Sequence, residues 1–222
     1  MNGTLRRYFA RGHTARGHFT WMPSLLKEAD AIWVLQGPRG PGKSMFLEKL
    51  SERLLGDGWD IECFHSPLYP GELEAVFVPR CKAAVMAEEL CPVPEEARGA
   101  VEYIPLREHM AAENAEDASC GPEKILRLKV ELEEAYSRAF RAFADALAIH
   151  DEWESYYIRN MDKGKADAIA REMAARILGS DEGNKKRAVI RHLFFGAATP
   201  DGALDHIPNL TAGLNSRIFI KG

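Results

Sequence analysis

Apolar and polar positions along the chain alternate between two regimes. Ala31 to Leu35 (AIWVL) is a short continuous apolar run rich in strand formers, which predicts a strand buried on both faces. Behind it Phe46, Leu47, Leu50, Leu54 and Leu55 recur at helical spacing until Gly56 and Gly58, so a helix closed by glycine follows. Asp60 to His65 (DIECFH) reads as the next strand, and Ala75 to Val78 and Ala83 to Ala87 as further strands or a strand pair parted by Pro79 and Arg80. Strands alternating with a helix predict a three-layer α/β domain with a mainly parallel sheet.

From Pro122 to about Met161 the period lengthens. Ile125, Leu128, Leu132, Ala135, Ala139 and Phe143 are spaced mostly by three or four, and Ala146 and Leu147 continue the pattern. A second helix from Ala166 to Leu178 carries Ile169, Ala170, Met173 and Ile177 on one face, with Gly164 between the two. The expectation is a helical hairpin inserted over about 122–178, packed on the sheet domain or projecting from it. Charged residues such as Lys129, Glu131 and Arg138 then form its solvated face.

The chain also repeats itself. Leu5 to Gly37 laid over Ile190 to Gly222 without a gap gives seven identical pairs: Arg6/Arg191, Phe9/Phe194, Thr14/Thr199, Gly17/Gly202, Pro23/Pro208, Leu25/Leu210 and Gly37/Gly222. Trp33, Val34 and Leu35 match Ile218, Phe219 and Ile220, which predicts a second strand there. The expected division is a domain over 1–190 and, over 191–222, the start of a second, truncated copy. His13 and His18 match Ala198 and Ala203, which argues against a metal site at the two histidines.

Composition narrows the function without naming it. Hydrophobic residues make up 46% and charged residues 28%, which excludes a disordered or fibrous chain. A net charge of -4 gives no global field toward nucleic acid or an anionic membrane. No apolar run is long enough to cross a bilayer and the first residues lack the core of a signal peptide, so a cytoplasmic protein is expected. Cys63, Cys81, Cys91 and Cys120 follow no zinc or disulfide spacing and read as reduced thiols.

Chemistry is concentrated after the first strand. Gly37, Pro38, Arg39, Gly40, Pro41, Gly42, Lys43 and Ser44 fit the pattern G-x-x-x-x-G-K-[ST]. Glycines let the backbone wrap a phosphate, and the helix beginning near Lys43 and Met45 aims its amides and positive dipole end at the anion. Lys43 is expected on the β and γ phosphates of ATP or GTP, and the Ser44 hydroxyl on Mg2+. Pro41 has no N–H and removes one donor from the loop. Phosphoryl chemistry also requires an acid at the end of a neighbouring strand, and Glu88 and Glu89 are the first candidates, with Glu74 next. His150, Asp151 and Glu154 lie within about one helical turn of each other, a polar cluster or a cap and salt-bridge set. Arg6 and Arg191, equivalent in the repeat, read as packing residues or as phosphate-directed charges.

The phosphate loop, FHSP at Phe64 to Pro67, VPRCKAAVMAEE at Val78 to Glu89, AVEYIPL at Ala100 to Leu106 and IHDEWE at Ile149 to Glu154 together resemble an uncharacterised family of bacterial tandem P-loop ATPases. The resemblance covers essentially the whole chain and implies a P-loop NTPase fold with two such domains in one polypeptide. It implies an Asp where Ala87 stands, and this departure shifts the expected metal role to Glu88. The expected function is Mg-dependent binding of ATP or GTP with hydrolysis, partnered by a second P-loop domain of the same or another chain. The alternatives are a small-molecule kinase with the hairpin as lid, and a nucleotide-gated interaction module without turnover.

Overall fold

The computed structural model describes residues 2–37, 41–97, 99–106, 121–179 and 190–220. Its elements run β1 Leu5–Phe9, β2 Gly12–Thr14, β3 Gly17–Phe19, α1 Met22–Leu26, β4 Ala31–Gln36, α2 Pro41–Gly56, β5 Ile61–His65, β6 Leu73–Val78, β7 Ala83–Ala87 and β8 Ala100–Pro105. They continue with α3 Pro122–Asn160, α4 Lys163–Leu178, β9 Gly196–Thr199, β10 Gly202–Asp205 and α5 Ile207–Leu210.

Six strands form one sheet in the order β1-β5-β6-β7-β4-β8. All neighbours are parallel except at β6, which runs against both β5 and β7. The turn after Val78 therefore makes a β6–β7 hairpin, because Pro79 stops the strand and Lys82 reverses the chain at φ 47°. Two apolar clusters cover the faces. Met22, Leu25 and Leu26 of α1 pack on Ile32, Val34, Phe64, Phe77 and Met86, while Leu47 of α2 packs on Leu35, Ile61, Val76 and Val78. The result is a mixed, mostly parallel α/β sheet with helices on both faces, the layering that the alternating pattern requires.

The segments over 12–26 and 196–210 fold alike. Thr14 Oγ1 donates to Gly17 O at 3.0 Å, and Thr199 Oγ1 to Gly202 O at 2.8 Å. Arg16 N donates to Thr14 Oγ1, as Asp201 N does to Thr199 Oγ1. Met22 N donates to Thr20 Oγ1 and Ile207 N to Asp205 Oδ1, so each short helix opens on an equivalent hydrogen bond. Gly17 at φ 88° and Gly202 at φ 106° sit in the turn where a side chain is strained, which explains why this pair is identical. Phe9 and Phe194, themselves counterparts, form an antiparallel bridge with Phe9 N on Phe194 O at 2.8 Å.

Residues 190–210 lie on the first body. Arg191 reaches the buried Glu62 on β5, and Asn209 of α5 accepts from Arg7 N at 2.7 Å and donates to Leu5 O at 3.0 Å. The strand expected at Ile218 to Ile220 is not formed. These residues are exposed and extend from no sheet, because a strand requires neighbours and the described residues provide none there.

The expected helical hairpin is also corrected. α3 runs for 39 residues, about 58 Å, and α4 does not fold back along it. After Asn160 the chain turns through the extended Met161, and the Asp162 side chain caps α4 by accepting from Lys165 N. Gly164 lies within the first turn of α4 rather than between the helices. Both helices are exposed on nearly every face. The body holds α3 where Tyr136 and Phe140 pack edge-on against His13 and His18 of the first hairpin. In the second hairpin Ala198 and Ala203 stand at those positions and offer no aromatic seat.

Candidate functional site

β4 ends and α2 begins at the C-terminal edge of the sheet, the edge where open α/β sheets place their ligands. The apolar run fixes β4 as an interior strand, with Ile32, Val34 and Leu35 buried. Pro41 opens α2, a position where its fixed φ suits the helix and its missing N–H would have had no intrahelical acceptor. The amides of the first turn have no acceptor within the helix itself, and they carry the positive end of its dipole. Of the expected phosphate loop, Gly37, Pro41, Gly42, Lys43, Ser44 and Met45 are described, whereas Pro38, Arg39 and Gly40 lie outside the described residues.

Lys43 is 5% exposed. Its ammonium donates to Gly37 O at 2.7 Å and lies 2.9 Å from Glu89 Oε2, so the lysine closes the loop onto the strand next door. Ser44 is buried beside it. Its hydroxyl donates to Glu48 Oε1 at 2.9 Å and accepts from Leu73 N at 2.9 Å, which leaves one oxygen lone pair for a cation. Met45 is exposed and points its side chain to solvent.

Glu88 and Glu89 follow β7, which pairs directly with β4. Glu88 accepts from Gly37 N at 2.9 Å through Oε1, and Glu88 N donates to Leu35 O at 3.2 Å. The two acids therefore hold opposite ends of the loop: Glu88 its first glycine, Glu89 its lysine. Ala87, opposite Leu35 in the sheet, is 4% exposed and brings no carboxylate to the strand end. Glu74, the second residue of β6, lies at the same edge and pairs with Arg11 Nε at 2.9 Å. Arg11 Nη2 also reaches Glu89 O at 3.4 Å. Arg11 and the Leu73 amide were not visible as site groups in the sequence, since each comes from a segment far from the motif, and Glu48, one turn after Ser44 on α2, belongs to no spaced pattern.

Other candidates fall elsewhere. His150, Asp151 and Glu154 come within 4.8 Å of one another, but on a stretch of α3 exposed on every side. His13 and His18 serve as the seat of α3, where burial first and then His18 and Arg11 lower the His13 pKa. Arg191 forms an ion pair with Glu62, and Arg6 is exposed on β1. At the end of β5, His65 is buried with Nδ1 against Pro70 O at 3.0 Å. Burial, then His206 and Arg7, push its pKa down to about 4, so the ring is neutral. Cys63, Cys81 and Cys91 are free thiols, and burial pushes Cys91 up to about 11. Among the described residues no helix is long and apolar enough to cross a membrane.

Comparison of the chain with protein-family models, curated proteins and solved structures returned no match.

Proposed function

We propose that the chain binds the phosphates of ATP, or of GTP, with Mg2+ at the junction of β4 and α2. The observation that carries this reading is Lys43: a buried ammonium at a helix N-terminus, on the sheet edge, facing Glu89 across the loop. A lysine this buried is costly unless matched by an anion, and phosphate oxygens offer the same charge in the same reach. Ser44 supplies the remaining lone pair for Mg2+, and Glu88, a strand-end acid bound to Gly37, is the acid proposed for its shell. When bound, Mg2+ would draw negative charge off the phosphates. Glu89 already neutralises Lys43, so a nucleotide has to share or displace that contact, and affinity is set partly by this competition.

Ala87 favours a second reading for turnover. Without a carboxylate at the end of β7, hydrolysis rests on Glu88 or Glu89, both committed to holding the loop. Binding with slow or absent phosphate release, the behaviour of a nucleotide-gated interaction module, fits that commitment. A second P-loop domain as partner accords with the repeated hairpin. The test is titration calorimetry of MgATP and MgGTP on the intact chain and on Lys43→Ala, with near-UV circular dichroism as a check of the fold. Loss of binding in a folded variant supports the reading, and unchanged affinity refutes it. Phosphate release measured on the same samples separates hydrolysis from binding alone.

A further inference from the structure

α3 carries a seam that the body does not use. Ile125, Leu132, Ala139, Ala146 and Trp153 stand at every seventh position. Interleaved with them, three residues on, are Leu128, Ala135, Ala142, Ile149 and Tyr156. This alternation of three and four has the 3.5-residue period of a left-handed coiled coil, whereas a helix packed on a globular body follows 3.6. All ten positions are exposed. Tyr136 and Phe140, which touch the body, lie beside this seam and leave it open.

An isolated helix with an uncovered apolar stripe is unstable in water, so the seam calls for a partner helix. α4 is too short to be that partner: its 16 residues span about 24 Å, less than half the length of α3. A second α3 has the right length and the right charges. In antiparallel pairing centred on Ala144, Trp153 faces the partner's Ala135, Ile149 the partner's Ala139, and Ala142 the partner's Ala146. Near the centre Trp153 and Ile149 thus meet alanines, and further out Leu132 meets the partner's Tyr156. Flanking it, Glu131 meets the partner's Arg159 and Arg138 the partner's Glu152, each twice by symmetry, against one like-charge contact of Asp145 with its own copy. Sliding by seven residues toward the N-terminus pairs Arg138 with Asp145 but sets Glu131 on Glu152 and Lys124 on Arg159. Sliding the other way sets Arg138 on Arg159. Parallel pairing stacks Trp153 on Trp153 and offers Glu131 and Arg138 no opposite charge.

We infer that α3 is a dimerisation helix, pairing antiparallel with α3 of a second copy of this chain in the register centred on Ala144. Sedimentation equilibrium on the full chain tests it. The wild type dimerises at micromolar concentration. Glu152→Arg weakens the dimer about tenfold by reversing two symmetric pairs, and adding Arg138→Glu restores it to within about threefold. Asp145→Asn tightens it about twofold, because it removes the like-charge contact. These positions are exposed on α3, so the substitutions leave the body folded. A wild type that stays monomeric to about 100 µM overturns the proposal. Failure of the charge swap to restore association overturns it too, and so does a weaker dimer in Asp145→Asn.

Discussion

Arg191→Ala tests how firmly the segment after α4 belongs to the first body. Glu62 lies on β5, between β1 and β6, and is 2% exposed. Arg191 meets its two carboxylate oxygens at 3.1 and 2.6 Å and lies 5.5 Å over the Phe77 ring. Removing one partner of such a pair leaves a charge in the core without compensation, which costs about 3–5 kcal/mol. Arg191 is itself 29% exposed, so water replaces part of the lost contact and the lower end, about 3 kcal/mol, applies. For a chain of this length that corresponds to a melting temperature about 6–12 °C lower. Urea unfolding followed by tryptophan fluorescence measures the free energy directly. Replacing both partners, Glu62→Met with Arg191→Met, should recover most of the loss, because the apolar pair leaves no buried charge. A loss below about 1 kcal/mol in Arg191→Ala, or a double variant no more stable than the single one, refutes the reasoning.

Two further outcomes follow from the site and from the buried histidine. Pro41→Ser should tighten MgATP binding by about 1.5–3 kcal/mol in calorimetry, since it returns an N–H to the first position of α2 facing charged phosphate oxygens; equal or weaker binding rejects the donor argument. Stability should fall as pH drops from about 6.5 toward 4, because the unfolded His65 takes up a proton there while the folded ring, held near 4, does not. The loss approaches about 3 kcal/mol and should largely vanish in His65→Gln, as read from urea midpoints across that range.

The motif and its flanks were legible because they are local. An apolar run makes β4, glycine and proline shape the loop, and helical periodicity makes α2, all within one stretch of chain. Glu88 and Glu89 were legible as strand-end acids, although which held Gly37 and which held Lys43 depends on the pairing of β7 with β4. Arg11 with Glu74 was not legible, since two segments far apart in sequence meet only once the sheet is assembled. β1 was missed because LRRYF places two exposed arginines in a strand only five residues long, and no apolar alternation marks it. The hairpin expected over 122–178 failed for a different reason: periodicity reports an apolar stripe, not what covers it.

Asn209 gives the first strand of the sheet a role for its neighbour that no side-chain packing could supply. β1 is a sheet edge, and its outward Leu5 carbonyl and Arg7 amide are the groups on which another strand would nucleate. The carboxamide of Asn209 satisfies both, as a peptide unit would, and the Phe194 carbonyl takes the amide of Phe9 two residues on. A helix side chain and one backbone bridge thus blunt the edge without extending the sheet. Losing residues 190–210 would therefore cost more than packing: it would turn β1 into a template for intermolecular strand addition, and aggregation rather than simple unfolding would be the failure mode.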